Sequence, residues 1–320
     1  LGLPLAVVLL GALRTIAFGF ELGISLLFAA LILPTDPAAV LSLFEEFDIA
    51  ERLAVTIEGE SLLNDGVAIV IFSSVLATIQ ATGQSVTDLA TLSGIAGFAV
   101  DVTLIGGGGL ALGVTVGYAA HQLVRRLADT MAVLLTTVVV AYGSFLMAEH
   151  YLHLSGVLAT VGAGIAMGAH GETHARMSDP EHTVQEVWST LSFLVTTVLY
   201  VLIGSATTTA EFVDDWWLIL TAAVLVVVVR AITVYPLMSS MNLAQDRPVP
   251  LRCQHIMVWG GLHTVVPVAL VLAVPNSIAR GLPLDTMVFG VAIISIVVQG
   301  LLMPTVLDRT GLADDSGVDA

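Results

Sequence analysis

Lysine is missing from this chain, cysteine occurs once, and only 11% of the 320 residues are charged. Each shortage excludes something. All ten basic residues are arginine, and they are outnumbered by 26 acids for a formal charge of -16, so the chain has no cationic surface with which to hold a nucleic acid. Cys253, being single, can make no disulfide within the chain. A charged fraction less than half that of ordinary soluble domains, with 57% hydrophobic residues and a mean hydropathy of +0.96, excludes a water-soluble globule and implies a polytopic membrane protein. Lysine-free acidic surfaces suit a high-salt cytoplasm, and a GC-rich genome produces the same arginine bias; the sequence leaves both origins open. The chain begins at Leu1, already apolar and without the charged start and cleavage site of a signal peptide, so an N-terminal part is expected to precede it.

Windows of roughly 20 apolar residues fall at about 3–20, 22–44, 53–80, 94–120, 130–148, 154–170, 187–206, 216–238, 253–273 and 286–307, which predicts ten transmembrane helices. Alternating the connections gives one face Arg52, Arg125, Arg126, Arg176, Arg247, Arg252 and Arg309, and the other only Arg280. By the positive-inside rule the arginine-rich face is cytoplasmic, and so are both ends of this chain. Arg14 and Arg230 lie within spans. The second span carries Pro34 and Pro37 around Asp36, and the ninth carries Gly260, Gly261 and Pro267, so both are expected to be interrupted helices. Each is the middle member of a three-helix group, and the two run in opposite senses, the pattern of an inverted repeat that places a binding site near the midplane. The expected organisation is a first half of a core bundle at 1–81, scaffold or interface helices at 92–206, a second half of the core at 216–309, and a short acidic tail at 310–320.

Carboxylates in hydrocarbon are costly and persist mainly where they handle ions or protons. Asp65 enters about 18 Å into the third span, near the bilayer centre. Ser61 shares its helix face four residues earlier, as Glu60 does with Asn64. Asp36 sits beside prolines that free backbone carbonyls. Carbonyl, carboxylate and hydroxyl oxygens suit a small hard cation such as sodium or lithium, whereas zinc, copper or iron would need His and Cys at ligand spacing, which the spans lack. Burial disfavours an empty ionised carboxylate and a bound cation stabilises it, so proton and cation exclude each other at such a site. That is the chemistry of an exchanger. Glu60 is expected to pair with Arg230 as a support.

Thr35-Asp36-Pro37, Glu60-Ser61-Leu62-Leu63-Asn64-Asp65-Gly66, Leu202-Ile203-Gly204, Arg230 and Trp259-Gly260-Gly261-Leu262 resemble the signature of the cation:proton antiporter-1 family, the sodium/proton antiporters of the prokaryotic NhaP type. The resemblance runs over nearly the whole chain. It implies an NhaA-like fold of thirteen spans, so that this chain would begin at the fourth. It also implies Asp65 as the exchanged-ion carboxylate, with Asp36, Ser61 and the Thr35 carbonyl completing the cation shell, Asn64 orienting the crossover and Glu60 paired with Arg230. An Asn before the key Asp implies electroneutral one-for-one exchange. Further implications are a homodimer of the full-length protein in the cell membrane and no cofactor beyond sodium and protons, which are substrates. The three-helix groups would rock or slide against the scaffold. Relatives usually follow Gly-Gly-Leu with Arg-Gly, where this chain has His263-Thr264; His263 is either a pH-dependent element or a neutral histidine bonded to freed backbone.

Weaker signals are read as structural. Gly106 to Gly109, and Gly162, Gly164 and Gly168, suggest close helix packing. Asp101 is expected to face the interior, and His170, His174 and His182 to lie in a solvated cytoplasmic connection at 171–186. The alternatives are potassium in place of sodium, which no residue here decides, an intramembrane aspartyl protease, for which neither Thr35-Asp36 nor Asn64-Asp65 has the expected setting, and a sensor that does not transport.

Overall fold

In a computed structural model the chain is described at residues 2–36, 51–82, 91–126, 129–168, 178–206, 209–243, 249–279 and 283–311. His170, His174 and the tail beyond residue 311 lie outside these residues. The described chain is helical: α1 (Gly2–Phe18), α2 (Leu22–Ile32), α3 (Glu51–Thr82), α4 (Leu92–Val124), α5 (Thr130–Leu146), α6 (Gly156–Gly168), α7 (Ser178–Ala206), α8 (Trp216–Asn242), α9 (Leu251–Trp259), α10 (Val265–Leu272), α11 (Leu284–Ile294) and α12 (Leu301–Thr310). A π-helical turn extends α5 through Met147–Leu152, and another, Ser295–Gly300, joins α11 to α12. Six stretches are long and apolar enough to cross a membrane, at Ile57–Ala81, Ser93–Val124, Thr130–Leu152, Thr183–Leu202, Trp216–Asn242 and Leu284–Thr310. The other four expected spans hold shorter helices: α1 with 17 residues, α2 with 11, α6 with 13, and the divided pair α9 and α10. The expected loop at 171–186 is shorter than its composition suggested, because α7 already begins at Ser178.

The chain divides into two compact units, one of residues 1–86 with 199–320, the other of residues 87–198. In the first, α1 and α2 pack together, α3 packs on both, α8 packs on α1, α9 and α11, and the half-helix α10 contacts α2 and α11. Its interior holds Leu27, Phe28, Leu31 and Ile32 of α2 and Met287 and Phe289 of α11, all almost wholly buried.

In the second unit α4, α5 and α6 pack on one another, and the α4–α6 contact is a small-residue seam. A side chain at Gly109, Gly113 or Gly117 would run into the backbone of Ser155, Ala159 or Ala163, and one at Gly162 into the backbone carbonyl of Leu110. The seam therefore includes Gly109 and Gly162, as expected, whereas Gly107, Gly164 and Gly168 face open space. Asp101 is exposed within its unit, contrary to the expected interior position, because α4 turns Gly109, Gly113 and Gly117 rather than Asp101 toward α6. Thr91 and Asp129 cap α4 and α5 by accepting from Gly94 N (3.1 Å) and Ala132 N (3.0 Å).

Gly113→Leu should force α4 and α6 apart and lower the thermal unfolding temperature in detergent markedly, whereas Gly143→Ala, where nothing lies within reach of the added methyl, should leave it within a degree or two. Equal melting temperatures for the two variants would refute the seam.

Candidate ion site at a crossing of two interrupted helices

The interruption after α2 follows from which N–H groups exist. In a continuous helix residue i donates to the carbonyl of residue i−4. Leu33 N still reaches Ala29 O at 3.2 Å. Pro34 and Pro37 have no N–H, so the carbonyls of Ala30 and Leu33 lose their helical donors. The two N–H groups between the prolines turn elsewhere: Thr35 N donates to Asp65 Oδ1 of α3 (3.1 Å), and Asp36 N to the carbonyl of Leu262 (2.7 Å). Asp36, which precedes a proline, is held extended, and it forms an isolated antiparallel bridge with Leu262.

Leu262 lies in the second interruption, between α9 and α10. Gly260 N closes the last helical bond, on Ile256 O (2.7 Å), and Leu262 N folds back to Gly260 O (2.9 Å). The carbonyls that Gly261 and His263 would have served are taken by side chains instead. Arg230 Nε of α8 donates to Met257 O at 2.9 Å, and Gln299 Nε2 to Trp259 O at 3.2 Å. Gln299 is itself fixed by Ser295 Oγ (2.7 Å), and its own carbonyl accepts Trp259 Nε1 (3.1 Å). Gly261 is required because a side chain there would occupy the space of the Arg230 guanidinium. In hydrocarbon an unpaired carbonyl costs several kcal/mol, roughly what each of these side chains removes.

The residues expected to hold an ion meet at this crossing. Besides the Thr35 N to Asp65 bond, the hydroxyls of Thr35 and Ser61 lie 3.1 Å apart, both buried, so the first break and α3 are joined twice. Asp65 is half-buried, and Asp36 is near enough for the two carboxylates to interact. His263, only 1% exposed, places Nδ1 3.0 Å from Pro34 O. Thr264 Oγ1 donates to Asp36 Oδ2 at 2.8 Å. Five residues before Asp65, Glu60 Oε2 accepts from Arg230 Nη2 at 3.0 Å. Asn64, the residue before Asp65, lines a cavity of about 450 Å³ together with Leu33, Glu60, Arg230, Met241 and Met257. The arrangement offers two carboxylates, two hydroxyls and main-chain carbonyls without helical donors, an all-oxygen surrounding suited to a dehydrated hard cation.

The family model "Sodium/hydrogen exchanger, transmembrane" matches residues 1–309. The chain belongs to the sodium/hydrogen exchanger family. It is 33% identical over 320 residues to the Na(+)/H(+) antiporter ApNhaP of Aphanothece halophytica, covering 98% of this chain and 59% of that protein. It is also 33% identical to the low-affinity Na(+)/H(+) antiporter NhaS1 of Synechocystis sp. (93% and 55% covered) and to the Na(+)/H(+) antiporter NhaP of Pseudomonas aeruginosa (89% and 65% covered). The chain thus spans a little over half to about two thirds of the length of these relatives. Its fold matches the sodium proton antiporter MjNhaP1 of Methanocaldococcus jannaschii with a TM-score of 0.76 at 18% identity, over 98% of this chain and 76% of that one. An all-helical, multi-pass membrane protein of the NhaA-like antiporter fold is therefore established.

Sequence reasoning missed Thr264 and Gln299. Thr264 stood in view beside His263, but a threonine next to a glycine pair announces no partner. Gln299 sits on a π-helical turn that no periodicity reveals. Replacing Arg230 by Met should leave Glu60 without its partner and Met257 O without a donor. The loss should be about 2 kcal/mol or more, since Glu60 retains some solvent. Adding Glu60→Gln to Arg230→Met should recover part of it in a thermal melt, and full additivity of the two changes would argue against the pair.

Proposed function

We propose that the full-length protein is a secondary transporter, not an enzyme, that exchanges cytoplasmic sodium or lithium for external protons, one for one. The carrying observation is that Asp65 is bound to a helix break by Thr35 N rather than by any arginine, with Asp36, Ser61 and Thr35 beside it. A carboxylate inside an apolar bundle that has no arginine hydrogen-bonded to it among the described residues takes a proton or a cation to neutralise its charge, and it holds them in turn. Asp65 is the exchanged-ion carboxylate of this reading. Asp36, the Ser61 hydroxyl and the Thr35 carbonyl complete the cation shell.

Glu60 and Arg230 are the supporting pair, and their mutual compensation leaves the charge at Asp65 free to alternate. Asn64, next to Asp65 on α3, lines the cavity, and its neutrality supports electroneutral stoichiometry. His263 supports the crossing through Pro34. The arginine distribution supports a plasma-membrane protein with both ends of this chain cytoplasmic, acting in sodium and pH homeostasis. A homodimer of the full-length protein rests on family resemblance. The family membership lends no support to the protease alternative.

Everted vesicles containing the full-length protein and acidified by respiration should lose their proton gradient on addition of sodium, at rates insensitive to a collapsed membrane potential. Asp65→Asn should reduce that response to background, at least a hundredfold. Wild-type exchange by the Asp65→Asn protein would end this reading, and a response to potassium equal to that to sodium would remove the sodium selectivity.

A further inference from the structure

Three consecutive residues of the second interruption hold two residues of the first, Pro34 and Asp36. Leu262 O accepts from Asp36 N (2.7 Å), His263 Nδ1 pairs with Pro34 O (3.0 Å), and Thr264 Oγ1 donates to Asp36 Oδ2 (2.8 Å). Of the three, only the last involves a side chain that the exchange reading places on the ion. Asp36 is thereby tied at both main chain and side chain to residues 262–264.

Thr264 occupies the N-cap position of α10, where a threonine hydroxyl ordinarily accepts from an N–H of the first helical turn. Here it makes no such cap. The residue is buried, with 3% of its surface exposed. The hydroxyl is the donor and Asp36 Oδ2 the acceptor, so its proton points to Asp36 rather than to solvent. A group that forgoes its local role to hold a carboxylate of the other broken helix fixes that carboxylate's orientation.

We propose that Thr264 is a positioning residue of the ion site, setting sodium affinity by orienting Asp36. This rests on the exchange reading above. A hydrogen bond to a charged group is among the stronger ones, and losing it releases the carboxylate to rotamers in which the cation loses a ligand. The effect should therefore fall on binding of the ion and leave the turnover of the loaded carrier nearly intact.

The test is initial-rate kinetics of the full-length protein in proteoliposomes, with sodium varied at fixed pH, for wild type, Thr264→Val and Thr264→Ser. Thr264→Val should raise the apparent KM for sodium about tenfold with a maximal rate within about twofold of wild type, and Thr264→Ser, which keeps the hydroxyl, should return KM to within about twofold. Should the valine variant fail to fold, Thr264→Ala carries the same expectation. A wild-type KM in the valine or alanine variant overturns the inference while leaving exchange itself standing. A loss confined to the maximal rate and not rescued by serine shows a structural role only and overturns it equally. Absence of sodium-dependent exchange in the wild-type protein removes the function on which it depends.

Discussion

The bridge between Asp36 N and Leu262 O, 2.7 Å long, is the contact on which the rest of the site depends. Two helices stop inside an apolar bundle, and a bilayer supplies no water to satisfy the groups they release. Each break must be completed from outside its own helix. Thr35 N finds Asp65, Asp36 N finds Leu262, Met257 O finds Arg230 and Trp259 O finds Gln299. The site is therefore a by-product of backbone accounting: the groups that finish the hydrogen bonding also bring two carboxylates and two hydroxyls into one place.

The same accounting assigns opposite tasks to the two acidic residues of α3 nearest the crossing. Glu60 has Arg230, which is also bonded to main chain, so its charge is settled in the fold. Among the described residues Asp65 is hydrogen-bonded by the neutral N–H of Thr35 and not by Arg230, so its charge is not settled by an ion pair. Under the proposed exchange, that difference separates the group that holds the scaffold from the group that turns over. Five residues of α3, about 1.4 turns, separate the fixed pair from the variable carboxylate.

Much of this was legible in the residues. Proline on either side of Asp36 and paired glycines at 260 and 261 announce broken helices whatever the fold, because they remove donors or side chains at fixed positions. The Glu60–Arg230 partnership could be named because the spans contain few arginines and a buried acid needs one. What the sequence hid was the detail of completion. Nothing local marks Gln299 as the donor for Trp259 or Thr264 as the donor for Asp36, since both contacts join segments far apart in the chain. Asp101 illustrates the opposite error: an acid inside a span was expected to face inward, but the orientation of α4 is set by Gly109, Gly113 and Gly117 against α6. Helix ends were less legible than helix presence, as α7 shows by starting at Ser178.

The central claim is that sodium and a proton occupy the Asp65 carboxylate alternately. Isothermal titration of sodium into the purified full-length protein, repeated in buffers of different ionisation enthalpy at a pH where the carboxylate is protonated, counts the protons displaced by binding. The account predicts close to one proton released per sodium bound, with release lost in Asp65→Asn. Sodium binding to the wild-type protein at that pH with no proton release would contradict it.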